Sequence, residues 1–301
     1  MIAIVSHDAG GAEILSSWVL KIDEPYMLFL DGPAKDIFYR KLGNYKNYNL
    51  TDSLSQCDWV LTGTSWQSNL EKEAIIKSRL LNKKVISFID HWVNYHERFI
   101  HEGKENYPDE IWVGDLEAEK IAKKIFLNTK IVLCENPYFE DIRAELNQDK
   151  YIKNSSNLSV LYVCEPIREH ALKAHGDEYY WGYVEEEAIK FFLDNIALIS
   201  DKISEIIIRL HPSERSNKYD WVLDLNLNNL KISKNKTLIE DICGADIIVG
   251  CESMALVVGL LAQKRVCSVI PPGGKICGLP HAGIEHLKDI HLQQKGIPLV
   301  N

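Results

Sequence analysis

Short apolar, β-branched runs recur along this chain with room for one helix between most neighbours, and that alternation restricts the fold more than any other feature. The runs are Ile2–Val5, Tyr26–Leu30, Asp58–Leu61, Val85–Ile89, Glu110–Val113 and Ile131–Cys134. After a break they resume as Ser159–Val163, Glu205–Leu210, Leu230–Ile232, Asp246–Val249 and Val266–Ile270. Helical patterns at Ala12–Leu20, Leu70–Leu81 and Val184–Leu198 fall between them. Strands that are apolar on nearly every residue must be covered on both faces, and the intervening helices supply the cover. The expected fold class is therefore α/β, with two Rossmann-like doubly wound domains facing a cleft. The break is a polar, Asn/Ser-rich stretch over residues 145–157, which places the domains at residues 1–150 and 151–301.

With 301 residues, 46% of them hydrophobic, the chain has enough apolar material for two ordinary cores. Lys and Arg number 34 against 43 Asp and Glu, a formal charge of −9 with no long basic run to offset it. This argues against nucleic acid or an anionic membrane as the main partner. The N-terminus enters a strand directly, so no signal peptide is expected, and the apolar runs around Met254–Ala262 are too short to span a bilayer. A cytoplasmic protein is expected, with peripheral contact at the inner face of the membrane left open. The seven cysteines are scattered without the spacing of a zinc site, which reads as buried free thiols and no metal.

Polar residues collect where the strands end, which is where open α/β sheets bind ligands. In the first half, the turn His7-Asp8-Ala9-Gly10-Gly11-Ala12 follows the first strand. Its glycines allow close approach of a ligand to a helix start, although the dinucleotide fingerprint GxGxxG is absent. Asp8 is placed either to take a proton from a hydroxyl or to cap the helix. Thr64 and Ser65, with Gln67, Ser68 and Asn69, are suited either to sugar hydroxyls or to capping the next helix. The stretch from Asp90 through His91, Trp92 and Tyr95 joins an acid to rings that can stack on a sugar.

In the second half, Glu165 follows a strand and is directed by Pro166. The run Ile206–Leu210 leads into Arg209, His211, Pro212 and Ser213; alternation puts Arg209 and His211 on one face, an arrangement suited to a leaving phosphate. Gly250-Cys251-Glu252-Ser253 ends a buried strand and starts a helix, so its free amides and the Ser253 hydroxyl are expected to form an anion site. Pro271–Gly274 and Pro280-His281 are expected to form a mobile loop at the same edge.

Two βα halves, with RLHPSE and then GCESMAL at a helix start in the second, resemble the GT-B-fold glycosyltransferases that use CMP-activated sugars. These include bacterial sialyl- and Kdo transferases, and the similarly folded polymerases that use CDP-glycerol. The resemblance implies that His211 and Ser253 contact the donor phosphate and that an acid of the first half is the base. Asp8 is the candidate by position and Asp90 its competitor; Glu165 is the candidate nucleophile if configuration is retained. Donor contacts fall to Arg209, Pro212, Ser213, Glu252, Ser253, Gly10 and Gly11, and acceptor contacts to Thr64, Ser65, His91, Trp92 and Tyr95. The implied reaction moves a CMP-linked ulosonic acid to a glycan or glycolipid hydroxyl in surface polysaccharide synthesis, without a metal and with the nucleotide sugar as substrate rather than cofactor. Two rivals remain: a nucleotide-sugar epimerase or hydrolase of the same fold, and a non-catalytic sugar-nucleotide binding protein.

Overall fold

The computed structural model describes residues 1–65, 68–147, 158–225 and 227–297. The chain divides into two compact units, Met1–Asp141 and Ile142–Asn301. The boundary expected at residue 150 lies outside the described residues, as does Gln67.

Unit 1 runs β1 (Ile2–Ser6), α1 (Ala9–Val19), β2 (Tyr26–Leu30), α2 (Ala34–Leu42), α3 (Leu50–Ser53), β3 (Trp59–Thr62), α4 (Leu70–Leu80) and β4 (Lys84–Ile89). It continues with a hairpin of β5 (Ile100–His101) and β6 (Lys104–Glu105), then β7 (Glu110–Val113), α5 (Leu116–Ile125), β8 (Lys130–Leu133) and α6 (Pro137–Leu146), whose last turns enter unit 2. Unit 2 runs β9 (Leu158–Val163), α7 (Ile167–His175), α8 (Glu185–Asp194), α9 (Ile196–Ile199), β10 (Ile203–Arg209), β11 (Leu230–Ile232) and α10 (Leu238–Gly244). It ends with β12 (Ile247–Gly250), α11 (Met254–Leu261), β13 (Arg265–Ser268), β14 (Ile284–His286) and α12 (Leu287–Gln294).

Each unit is built on a six-stranded parallel sheet, ordered β2-β1-β3-β4-β7-β8 in unit 1 and β11-β10-β9-β12-β13-β14 in unit 2. The second order has two strands on one side of its first strand before the chain crosses over; the first has only β2 there. Asn47 takes the place of the missing edge strand. It forms a parallel bridge to Leu28, and its side chain accepts from the Leu30 amide at 2.8 Å and donates to the Leu30 carbonyl at 2.9 Å. One amide side chain thus satisfies an edge that a whole strand covers in unit 2.

The central strands are buried along their length, as covered parallel strands must be. The helix expected over Val184–Leu198 is instead two, because Asn195 leaves helical geometry and bonds both the Phe191 carbonyl and His291. The Thr237 and Glu240 capping box starts α10 as its sequence pattern indicates. Among the described residues no helix is long and apolar enough to cross a membrane.

Candidate functional site

In each unit the chain crosses from one side of its first strand to the other, and the groups that end the two strands at that crossing come together. In unit 1 these are β1, leading to His7 and Asp8, and β3, leading to Gly63, Thr64 and Ser65; Asp90 arrives from the neighbouring β4. Asp8 occupies the N-cap position of α1 but makes no side-chain cap bond. Its Oδ1 lies 2.7 Å from His7 Nδ1 instead. Asp90 is more enclosed: its Oδ1 accepts from Arg98 at 2.7 Å and from the Thr64 hydroxyl at 3.3 Å, and the same guanidinium nitrogen reaches Thr64 Oγ1 at 2.8 Å. A Cβ on Gly10 would stand 1.9 Å from Asp90 Oδ2, so a side chain at residue 10 would have to displace the Asp90 carboxylate. Between the two candidate bases, Asp8 is the freer carboxylate and Asp90 belongs to a buried ion pair.

The acceptor-side expectations are corrected in part. Trp92 is 5% and Tyr95 2% exposed. The Trp92 indole donates to Asp115, and Tyr95 stacks on Phe126, so both rings are packing rather than platforms for a sugar. His91 lies beside the Trp92 ring. Ser65 Oγ accepts from the Ser68 amide at 2.8 Å, which gives it a role in the turn before α4, while Thr64 serves the Asp90–Arg98 pair.

Unit 2 brings together the ends of β9 and β12. Glu165 Oε1 accepts from the Cys251 amide at 3.1 Å and the Glu252 amide at 2.6 Å. These are the amides expected to be free for an anion, so the chain's own carboxylate occupies that place. Ser253 caps α11 through Ala255 at 3.2 Å. Gly250 is required at the end of β12, since a Cβ there would meet the Val163 carbonyl oxygen at 2.9 Å. Burial outweighs the two amides and pushes the Glu165 carboxyl up to about 7, with the negative charge of Glu252 adding to the rise. Glu252 in turn accepts from Lys275 at 2.7 Å and from the Gly278 amide at 2.6 Å, which fastens the loop expected to be mobile.

Arg209 also departs from expectation. Its guanidinium donates to the buried Asp241 at 2.6 Å and to the Lys236 carbonyl at 3.0 Å, which commits one of its nitrogens to the start of α10. Strand β10 ends at Arg209, so strand alternation does not extend to His211. His211 does present a usable donor. Its Nδ1 lies 2.7 Å from the Ser213 hydroxyl and 3.2 Å from the Ser213 amide nitrogen; when that amide donates to Nδ1 the hydrogen of the neutral ring is on Nε2, which has no partner among the described residues. Burial, with Lys218 adding and Glu214 opposing, lowers the imidazole below its ordinary range and favours that neutral form. Pro212 and Ser213 are exposed beside it.

Several residues of these sites carry no sequence signal. Glu71, 2% exposed in the first turn of α4, accepts from the His7 amide at 2.7 Å, and its Oε2 is buried without a partner among the described residues. Burial first, and Asp8 to a lesser degree, push its carboxyl up to about 7. An acid in a helix's first turn ordinarily reads as a dipole partner, so nothing in LEKEA marks it. Arg98, Glu214 and Lys218 likewise acquire partners only through the fold. Glu169, Glu185 and Glu214 bring carboxylate oxygens within 4.8 Å of one another, and Lys218 bonds all three.

No family model and no curated protein sequence matches the chain. Solved structures do. A UDP-GlcNAc 2-epimerase from Methanocaldococcus jannaschii superposes with a TM-score of 0.60 at 13% identity, over 100% of this chain and 93% of that one. The UDP-GlcNAc 2-epimerase from Neisseria meningitidis bound to UDP-GlcNAc gives 0.61 at 12% identity, over 98% and 90%. An α/β-galactoside α-2,3-sialyltransferase from Photobacterium phosphoreum gives 0.52 at 12% identity, over 96% and 99%. The fold is therefore that of the GT-B-like two-domain proteins, to which both glycosyltransferases and sugar-nucleotide epimerases belong.

Proposed function

We propose that the protein acts on a nucleotide-activated sugar, with unit 2 holding the leaving phosphate and unit 1 supplying the base for glycosyl transfer to a glycan or glycolipid hydroxyl. The observation that carries this reading is the His211 imidazole just past the end of β10, with Nδ1 turned to Ser213 and Nε2 without a partner among the described residues. The acceptor oxygen attacks the anomeric carbon while its proton passes to Asp8. The anomeric C–O bond breaks, its electron pair stays on the phosphate oxygen, and His211 donates a hydrogen bond to that oxygen. Glu165 Oε1 is turned to the amides of Cys251 and Glu252, and the proposed route inverts the configuration without a covalent intermediate on this carboxylate. The reaction calls for no resident cofactor, and a CMP-linked ulosonic acid is the proposed donor.

A second reading is supported by the higher similarity to two UDP-GlcNAc 2-epimerases than to the sialyltransferase. In that reading the same residues act on the donor alone. Incubation with CMP-linked ulosonic acids and with UDP-GlcNAc, each with and without a saccharide acceptor and followed by proton and phosphorus NMR, separates them. Nucleotide release that requires acceptor supports transfer. A changed sugar without acceptor replaces transfer with epimerisation, and no change under any condition rejects both.

A further inference from the structure

We propose that Glu214 and Lys218 are positioning residues for His211, forming a carboxylate–ammonium pair that fixes the orientation of its imidazole and sets its charge from opposite sides. This rests on the reading of His211 as the group that faces the leaving phosphate, and it adds the residues that make His211 fit for that task.

The Glu214 carboxylate, with a side chain 0% exposed, divides its two oxygens between two duties. Oε2 accepts from the backbone amide of His211 at 3.0 Å. Oε1 accepts from the Tyr219 hydroxyl at 2.6 Å and from Lys218 at 2.9 Å. The residue after β10 is thereby tied to a side chain three positions later, and the Ser213 amide then closes on Nδ1, which fixes the ring as well as the backbone. A carboxylate this deeply buried needs a cation, and Lys218 is that cation. Lys218 is itself held by Glu185 on α8 and by both oxygens of Glu169 on α7, at 2.9 Å and 3.0 Å for the latter. The ammonium fills a space that three carboxylates would otherwise offer to a metal ion. The His211 turn is thus pinned to α7 and α8 through Glu169 and Glu185.

The charges that face His211 or its supporting cage are Glu214 and Lys218 from its own turn, Glu169 and His170 from α7, and Glu185 from α8. Glu214 favours the imidazolium, and Lys218 disfavours it. A pair that served packing alone would move the imidazole's titration in no particular sense when either partner is neutralised. A pair that sets its protonation moves it in opposite senses.

The test is a pH titration of the histidine side chains by long-range proton–nitrogen NMR in the uniformly nitrogen-15-labelled full chain, with H211Q to assign His211 and H170Q to assign its neighbour. In wild type, His211 is expected to show the Nε2-protonated neutral form at pH 7. In K218M its midpoint is expected to rise by about one pH unit, and in E214Q to fall by a similar amount. E214Q keeps the shape of the side chain, so the experiment does not depend on K218M folding. Midpoints that stay put in E214Q, or that move the same way in both variants, overturn the proposal. Adding CMP or UDP to the wild-type sample keeps the two claims apart. If neither nucleotide perturbs His211 while its titration still moves in opposite senses, the functional reading fails and the positioning role stands.

Discussion

The turn that opens α1 follows β1, the first strand of unit 1, and the turn that opens α11 follows β12, the strand next to the first strand of unit 2; the chain treats their amides in opposite ways. At α11 the carboxylate of Glu165 closes on Cys251 and Glu252, and Ser253 caps the next turn. At α1 no side chain caps the helix; Glu71 holds the amide of His7, one residue upstream of the N-cap, and Asp8 turns to the His7 ring. One helix start is thus held by a carboxylate and a hydroxyl of the chain itself, and the other has at its N-cap a half-buried carboxylate that bonds the neighbouring imidazole. In unit 2 the proposed donor to the ligand lies past another strand end, at His211. Position at a switch point identifies where a site lies, and the local hydrogen bonds decide which end of the sheet carries it.

Replacing the two reactive groups tests this comparison most severely. His211→Ala is expected to lower turnover of the nucleotide sugar by about 10² to 10³, the range for losing one donor to a developing oxyanion. Asp8→Asn is expected to cost roughly 10² to 10⁴, as for a general base. Both are read as initial rates of nucleotide release, with melting temperatures near wild type. If Asp90→Asn were the more damaging change while folding were preserved, the base would have to be reassigned.

The glycines come next. Gly250→Ala drives a Cβ against the fixed carbonyl of Val163, and Gly10→Ala against the movable Asp90 side chain. Chemical denaturation should register about 1 to 3 kcal/mol of lost stability for the first. The second should lose less stability and more activity, because it displaces Asp90 and α1. Equal losses in both measures at both positions would erase the distinction between a framework turn and a reactive one.

The glutamates give a smaller, pH-dependent contrast. Glu71 is raised from 4.5 to about 7 in the folded state. The folded chain thus holds its proton more tightly than the unfolded chain, and the contribution to stability is fully present below pH 4.5 and lost as pH rises through 7. Over that window wild type is expected to lose on the order of 3 kcal/mol relative to Glu71→Gln. The contribution of Glu165 has the same sign, over the same window. Urea unfolding at pH 5, 6, 7 and 8 checks both, and parallel curves for wild type and Glu71→Gln would contradict the assignment. The smallest effect is expected from Trp92→Phe. Its indole donates to Asp115 and the ring is 5% exposed, so the change should cost stability and leave saccharide affinity unaltered in a calorimetric titration.

Much of the sheet framework was legible because a strand covered on both faces is apolar at almost every position, and runs such as Glu110–Val113 and Leu230–Ile232 coincide with observed strands. Two edge elements were not: β14 reads Ile-Glu-His, with one buried apolar residue and no apolar run, and the unit 1 edge is a single asparagine. At the sites, the residues that end strands were legible by position: Asp8, Asp90, Glu165, His211 and Ser253. Their partners were not. Arg209 reads as a phosphate ligand until Asp241 from α10 takes its charge, and Trp92 and Tyr95 read as a sugar platform until α5 and Phe126 cover them. Glu71 and Lys218 lie on helix and loop surfaces in sequence, and only tertiary packing buries the first and surrounds the second with carboxylates.

The central claim is that unit 2 binds a nucleotide through His211. Thermal denaturation of wild type and H211A with CMP, CDP, UDP and GDP tests it most directly. A nucleotide at a hundredfold excess over its Kd stabilises the folded chain by about 2.7 kcal/mol. At least one of the four is expected to raise the wild-type melting temperature by several degrees, with the rise lost in H211A. No shift with any of the four, or an equal shift in the variant, would contradict the account.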